Sequence, residues 1–206
     1  MLIKKIGAYR NDASRVIVYF EDRSYITIDA LEAERLKIKP GAELDAALIP
    51  ELSEKSRAAA ARTTAARLVG RVMMSRKTLL TKLADRGFNE EEAGSALEWL
   101  VSVGAMDDAE YGKMLVGYYR DRGFGVRRIR EELRKRGLER EDIDELLEEP
   151  VDMQKEIIEY IKKRTYGHEV DRALINKITN ALVRRGHSYS DIKEAFHADE
   201  IELGDE

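Results

Sequence analysis

The sequence predicts a mainly α-helical protein: three tandem three-helix repeats forming an elongated curved array, preceded by a small β-rich N-terminal subdomain. Three observations carry that prediction. A six-residue phrase recurs as Leu83-Ala84-Asp85-Arg86-Gly87-Phe88, Leu133-Arg134-Lys135-Arg136-Gly137-Leu138 and Leu182-Val183-Arg184-Arg185-Gly186-His187. Its glycines lie 50 and then 49 residues apart (137 − 87 and 186 − 137), and a period near fifty marks stacked units of like structure. A leucine or isoleucine stands four residues before each phrase-leading leucine (Leu79/Leu83, Ile129/Leu133, Ile178/Leu182), which puts each pair on one helical face. Strand-like alternation, finally, is confined to the first 47 residues.

In that opening stretch Val16, Val18 and Phe20 alternate with Ile17 and Tyr19, the two-residue period of a strand. Asn11-Asp12 and Glu21-Asp22-Arg23 read as turns around it, and residues 2–8 and 24–28 supply the flanking strands of a meander. Asp29 can cap a short helix from Ala30 to about Leu36, because its carboxylate accepts from free N–H groups of the first turn. Pro40-Gly41 then breaks the chain.

Beyond about Leu44 strand signals almost vanish. Residues 57–72 are rich in alanine and arginine and read as a long helix leading into the repeats. Each repeat is predicted to open with a helix, over residues 65–74, 108–122 and 152–164. The phrase ends the next helix: glycine suits the left-handed residue at a helix C-terminus, where no Cβ clashes. Asn89 with Glu92, and Ser188 with Asp191, resemble capping-box starts of a third helix. Apolar positions recur six, nine and ten residues past each glycine (Ala93/Ala96/Leu97, Ile143/Leu146/Leu147, Ile192/Ala195/Phe196). The resulting division is a β-meander subdomain with a short helix (1–47), a lead-in helix with repeat 1 (48–106), repeat 2 (107–150), repeat 3 (151–198) and an acidic tail (199–206).

Composition narrows the chemistry. The chain has 206 residues with no cysteine, which excludes disulfides, thiol nucleophiles and thiolate metal sites and fits a reducing cytosol. Met1-Leu2-Ile3-Lys4-Lys5 reaches charge too early for a signal peptide, and no apolar run approaches membrane-spanning length. A cytoplasmic monomer that contacts no membrane is expected. His168, His187 and His197 lack ligand spacing and read as structural or exposed. Gly123-Phe124-Gly125 lacks the rest of a phosphate loop and reads as a helix connector. Asp107-Asp108 reads as helix-start acids favoured by the dipole, and Trp99 as core. No residue set supplies nucleophile, base and metal, so neither an enzyme nor a cofactor is expected.

Charge patterning is the feature that remains. Net charge is only −4, yet residues 120–136 hold eight basic side chains against three acidic ones, and residues 139–152 hold eight acidic against one basic. The tail from residue 199 adds five acids. Such neighbours are either a solvated pair of helix faces or a bipolar surface that grips a partner of both signs, or nucleic acid on the basic side. Arg127, Arg130 and Arg134 share a face at i, i+3 and i+7, opposite the Ile129/Leu133 seam, and are expected to project outward together.

At this point the residues match a known family. Residues 106–111 (Met-Asp-Asp-Ala-Glu-Tyr) and 123–138 (Gly-Phe-Gly-Val-Arg-Arg-Ile-Arg-Glu-Glu-Leu-Arg-Lys-Arg-Gly-Leu) resemble the core signature of the bacterial recombination regulator RecX. The likeness extends over about residues 57–197, including Lys163-Arg164 and residues 182–186. It implies three stacked three-helix units and a non-enzymatic modulator of the RecA recombinase, seated in the groove of the RecA–single-stranded-DNA filament. By the same likeness it mostly inhibits filament growth, ATPase, strand exchange and coprotease activity, and so bears on recombination, repair and the SOS response. Linked weak contacts to successive protomers would supply avidity. Contact candidates are Arg120, Arg127, Arg128, Arg130, Arg134 and Arg136, with direct contact to single- or double-stranded DNA open, and with Asp108 as a possible acidic neighbour braced by them. Gly87, Gly137, Gly186, Leu83, Leu133 and Leu182 form the structural repeat motif. The alternative is a helical-repeat nucleic-acid-binding protein acting without RecA, supported by the arginine cluster and opposed by the overall acidity and few aromatics. Two departures stand out: His187 replaces a usual phenylalanine, and Gly112 replaces a usual alanine, which is expected only to soften its helix slightly. The middle repeat, with the sharpest signature and densest positive charge, is expected to meet the partner most directly.

Overall fold

The computed structural model describes residues 1–10, 13–148 and 153–198. The Asn11-Asp12 turn, Glu149 and Asp152 of the acidic stretch, and the tail from residue 199 lie outside these. The fold is mostly helical with one small antiparallel sheet, as expected. Strands β1 (Ile3–Ala8), β2 (Arg15–Phe20) and β3 (Tyr25–Asp29) form a meander in the order β1-β2-β3. Val18 faces Ile6 on one side and Ile26 on the other, so alternation places Ile3, Val18, Phe20, Ile26 and Ile28 in one apolar core. The β2–β3 turn is tight enough to hold Arg23 at φ +73°. Asp29 accepts from the Leu31 and Glu32 N–H groups and starts α1 (Ala30–Arg35).

The first long helix departs from expectation. After a single 3-10 turn (Ala46–Leu48), α2 runs unbroken over Ile49–Val69. The predicted lead-in helix and the predicted helix over residues 65–74 are therefore one helix, starting eight residues before 57 and ending before 70 (57 − 49). Pro50 does not prevent the early start, because a proline in the first turn lacks only an N–H that would be unpaired anyway. α2 packs on β3 and on α4, and Leu52 completes the core of the sheet.

The remaining helices are α3 (Arg76–Ala84), α4 (Glu90–Ser102), α5 (Asp108–Arg120), α6 (Val126–Lys135), α7 (Arg140–Leu146), α8 (Gln154–Thr165), α9 (Arg172–Arg184) and α10 (Tyr189–Ala198). They group in threes, α2–α4, α5–α7 and α8–α10, each with the phrase at the end of its middle helix. All three phrase glycines are left-handed, at φ +82°, +82° and +91°. The residue after each glycine donates to the carbonyl of the phrase-leading leucine: Phe88 to Leu83, Leu138 to Leu133, His187 to Leu182, all at 3.2 Å. That six-to-one bond is the Schellman cap. Asn89 and Glu92 form a complete capping box on α4, and Ser188 Oγ accepts from the Asp191 N–H at 3.1 Å.

Two compact units result: Met1–Met73 with Leu79–Met106, and Met74–Thr78 with the residues from Asp107 onward. In the second unit Ile129, Leu133 and Ile143 centre one core, and Ile157, Ile161, Ala195 and Phe196 another, all at 0% exposure. Burial of each large aliphatic side chain is worth about 1.5–3 kcal/mol, well above the surface ion pairs. Gly112 proves to be more than a softened helix position. A Cβ there would run into Leu146 and Leu138, so the missing methyl lets α7 close onto α5.

Candidate functional site

The charged face of α6 is built on a buried seam. Ile129 and Leu133 anchor the helix, and its other residues are charged apart from Val126. The outward ridge predicted from spacing is only partly realised. Arg127 and Arg134 are exposed, whereas Arg130 leans onto α7 and pairs with Asp144. That partner, with Arg140 behind it, holds the Asp144 carboxyl below the usual carboxylate range. Arg128 is half-buried, pairs with Glu132 at 2.8 Å and Glu131 at 3.3 Å, and sits 5.9 Å from the Phe124 ring. The Glu132 carboxyl is lowered by Lys135 first, then by Arg128. Arg136 is held by the Tyr119 and Tyr111 phenols, which raise its pKa further, and Arg120 is half-buried at the end of α5. Exposed pairs of this kind contribute below about 1 kcal/mol; what they fix is direction. Arg127 and Arg134 thus stand exposed beside an interleaved set of acids.

The phrase does more than stop helices. In the second copy, Ser75 Oγ donates to the Arg136 carbonyl at 2.8 Å, and Thr78 Oγ1 lies 3.2 Å from the same oxygen. Ser75 is fully buried, and its Oγ also accepts from the Thr78 N–H, so it starts α3 while holding the Arg136-Gly137 turn. A Cβ on Gly137 would come within 2.7 Å of Ser75 Oγ. In the third copy the receiving surface is backbone: Gly125 N–H donates to the Arg185 carbonyl at 2.9 Å and Arg127 N–H to the Gly186 carbonyl at 3.2 Å. A Cβ on Gly186 would overlap the Arg128 backbone, and one on Gly125 the Gly186 carbonyl. Gly123-Phe124-Gly125 is thus a connector that also receives the next repeat.

Asp107 and Asp108 divide the work differently from the sequence reading. Asp107 caps its own helix, accepting from Ala109 and Glu110. Asp108 instead accepts from the Arg76 N–H at 3.0 Å and caps α3; it is buried, and burial pushes its carboxyl above the usual range. It braces none of the α6 arginines. His187 is structural. It is 3% exposed, with Nε2 3.1 Å from the Gly123 carbonyl. A carbonyl can only accept, so Nε2 carries the proton. Nδ1 and, nearby, Glu156 Oε2 are buried without a hydrogen-bond partner. Burial pushes the ring below the usual histidine pKa, against the Gly123 carbonyl and the charges of Asp191 and Glu156. The roles of Ser75 and Asp108 were missed from sequence because their partners lie 61 and 32 residues away; only the Ser-x-x-Thr spacing ahead of a helix hinted at Ser75.

Comparison with known proteins agrees with this architecture. Residues 107–147, the second repeat, match the family described as RecX, second three-helix domain. The regulatory protein RecX of Caldanaerobacter subterraneus subsp. tengcongensis is 29% identical over 197 residues, covering 96% of this chain and 99% of the relative. That of Pseudomonas fluorescens is 37% identical over 110 residues, covering 53% of this chain and 71% of the relative. A crystal structure of regulatory protein RecX superposes with TM-score 0.66 at 22% identity over 94% of this chain and 98% of that one. RecX from Lactobacillus salivarius does so with TM-score 0.65 at 20% identity, over 70% and 98%. Among the described residues no helix is long and apolar enough to cross a membrane. With the phrase-bearing repeats, the matched second repeat and relatives covered over most of their length, the chain belongs to the RecX family of regulatory proteins.

Proposed function

We propose that this protein acts on the RecA recombinase, binding RecA and the groove of the RecA–single-stranded-DNA filament in the cytoplasm. There it restrains filament growth, ATPase, strand exchange and coprotease activity without chemistry of its own. Family membership carries the reading. The surface of the second repeat supports it, because Arg127 and Arg134 stand exposed on α6 and the neighbouring α7 carries Glu141, Asp142, Asp144 and Glu145, so both signs are offered to a partner. The reading of a nucleic-acid binder acting alone is less well served by this helix. Arg128 and Arg130 are already engaged by Glu131, Glu132 and Asp144, which leaves a short cationic run for phosphates.

The test is a titration of the purified protein into RecA hydrolysing ATP on single-stranded DNA. The rate falls as the protein approaches RecA in concentration; an unchanged rate at several-fold excess would sink the proposal. Replacing Arg127 and Arg134 together by glutamate weakens inhibition while leaving helicity intact.

A further inference from the structure

The first unit contains a cleft built from residues outside 107–147, the repeat that matches the family description. Two adjoining cavities, of about 340 and 300 Å³, share Tyr9, Arg15, Ala60, Arg86 and Phe88. They lie where the open end of the sheet, the middle of α2 and the first copy of the phrase come together. Arg10 and Arg67 line one cavity, and Arg57 and Tyr25 the other. None of the described residues lining either cavity is acidic. This is unusual in a chain with more acidic than basic residues, 40 against 36.

The details favour a polyanion with flat groups attached. Every charge among the described lining residues is an arginine; Glu92 already holds the Arg57 fork, and the exposed forks of Arg10, Arg67 and Arg86 match a phosphate in two-point fashion. Thr64 adds a hydroxyl to the lining, while the Thr63 hydroxyl donates to the Ala59 carbonyl at 3.0 Å. The Arg15 guanidinium lies 4.5 Å over the Tyr9 ring, and its Nη2 donates to Ser56 Oγ at 3.2 Å. Arg15 thereby fixes Tyr9 at the edge of the cleft, while its Nε stays buried with no partner. Tyr25 is 65% exposed and Tyr9 38%, so both rings offer surface to a ligand. Arginines in a groove combined with accessible aromatic faces are what a single strand requires, since phosphates pair with the cations and unpaired bases stack on the rings. An acidic peptide would use the arginines and leave the rings idle.

We propose that this cleft is a binding site for single-stranded nucleic acid, with phosphates on Arg10, Arg67 and Arg86 and bases against Tyr9 and Tyr25. Arg67 and Arg86 are exposed, and the Arg86 guanidinium donates to the Lys82 carbonyl of α3. The site also explains why the first phrase faces an open cleft rather than another repeat. Because the assay below contains no recombinase, its outcome is independent of the RecA reading.

The test uses the full chain and a fluorescein-labelled single-stranded oligothymidylate, read by anisotropy across a salt series. Arg67→Glu with Arg86→Glu weakens binding by about tenfold or more and lowers the salt slope by about 1.4, as loss of two single-strand phosphate contacts requires. Tyr25→Ala weakens it by about fivefold or more with the salt slope unchanged, since stacking carries no counterion release. A duplex of the same length binds more weakly than the single strand. Circular dichroism of each variant confirms the helices. Wild-type affinity in the folded double-arginine variant would overturn the proposal. So would displacement of the oligonucleotide by polyglutamate at equal charge concentration, which would make the cleft a site for acidic peptide.

Discussion

The first phrase and the third have the same backbone and opposite surroundings. Gly87 and Gly186 are both left-handed, and both precede a residue that donates to the phrase-leading leucine. A Cβ on Gly87 would meet nothing within 4 Å, and one on Gly186 would overlap the Arg128 backbone. Gly137 is intermediate, facing the Ser75 and Thr78 hydroxyls. One local signal thus serves two purposes. As a cap it is self-sufficient in every copy, because its bonds lie within six residues. As a docking element it works only where a preceding helix start presents donors, a hydroxyl pair in one case and bare backbone in the other. Where no repeat precedes it, the turn instead borders an arginine-lined cleft, and Arg57 bonds the Gly87 carbonyl at 2.9 Å.

Alanine at each phrase glycine separates the two purposes and has the largest expected effects. All three variants carry the left-handed strain, about 1–2 kcal/mol. Gly186→Ala adds backbone overlap that cannot relax without moving the repeat, about 1–3 kcal/mol more. Gly137→Ala falls between, since a serine hydroxyl can turn aside. Urea unfolding of the three variants should rank them 186, 137, 87. Equal losses at all three would mean that the docking contributes nothing beyond the cap.

Next in size is the hydroxyl that receives the second phrase. Ser75→Ala removes both the α3 cap and the bond to the Arg136 carbonyl, for a loss of about 1–2 kcal/mol in the same measurement. Asp108→Asn keeps an acceptor for the Arg76 N–H and should cost less than Ser75→Ala. The reverse order would show that Asp108 acts by its charge rather than as a cap.

The smallest effect concerns the third junction alone. The folded pKa of His187 lies below its unfolded value, so the folded state binds that proton less tightly. Its contribution is complete above about pH 6.5 and is lost as the pH falls below that. One proton limits the slope to about 1.4 kcal/mol per pH unit. Carboxylates lowered by arginine or lysine, such as Glu132 and Asp144, act in a lower window, below the ordinary carboxylate range. Stability measured by urea unfolding between pH 7 and 5.5 should therefore decline in the wild type and decline less in His187→Phe. Parallel profiles would show that the ring is not held neutral at the junction.

Much of this protein was legible in its sequence, and for a definite reason. Helix periodicity, the Schellman glycine, the Asp29 cap and the Asn89-Glu92 box are interactions within about six residues, so residue types at short spacing determine them. The alternation of β2 determined the meander in the same way. The features that differ from the sequence expectation share the opposite property. One α2 in place of two helices, Arg130 turned onto Asp144, Asp108 capping α3 and Gly112 admitting Leu146 each depend on which element lies alongside. So do the docking of Gly137 and Gly186 and the arginine cleft beneath Gly87. Sequence alone determined what each segment is; tertiary structure decided what each segment faces. Bonds across 32 to 64 residues, as at Asp108, Ser75 and His187, leave no periodic trace in the chain.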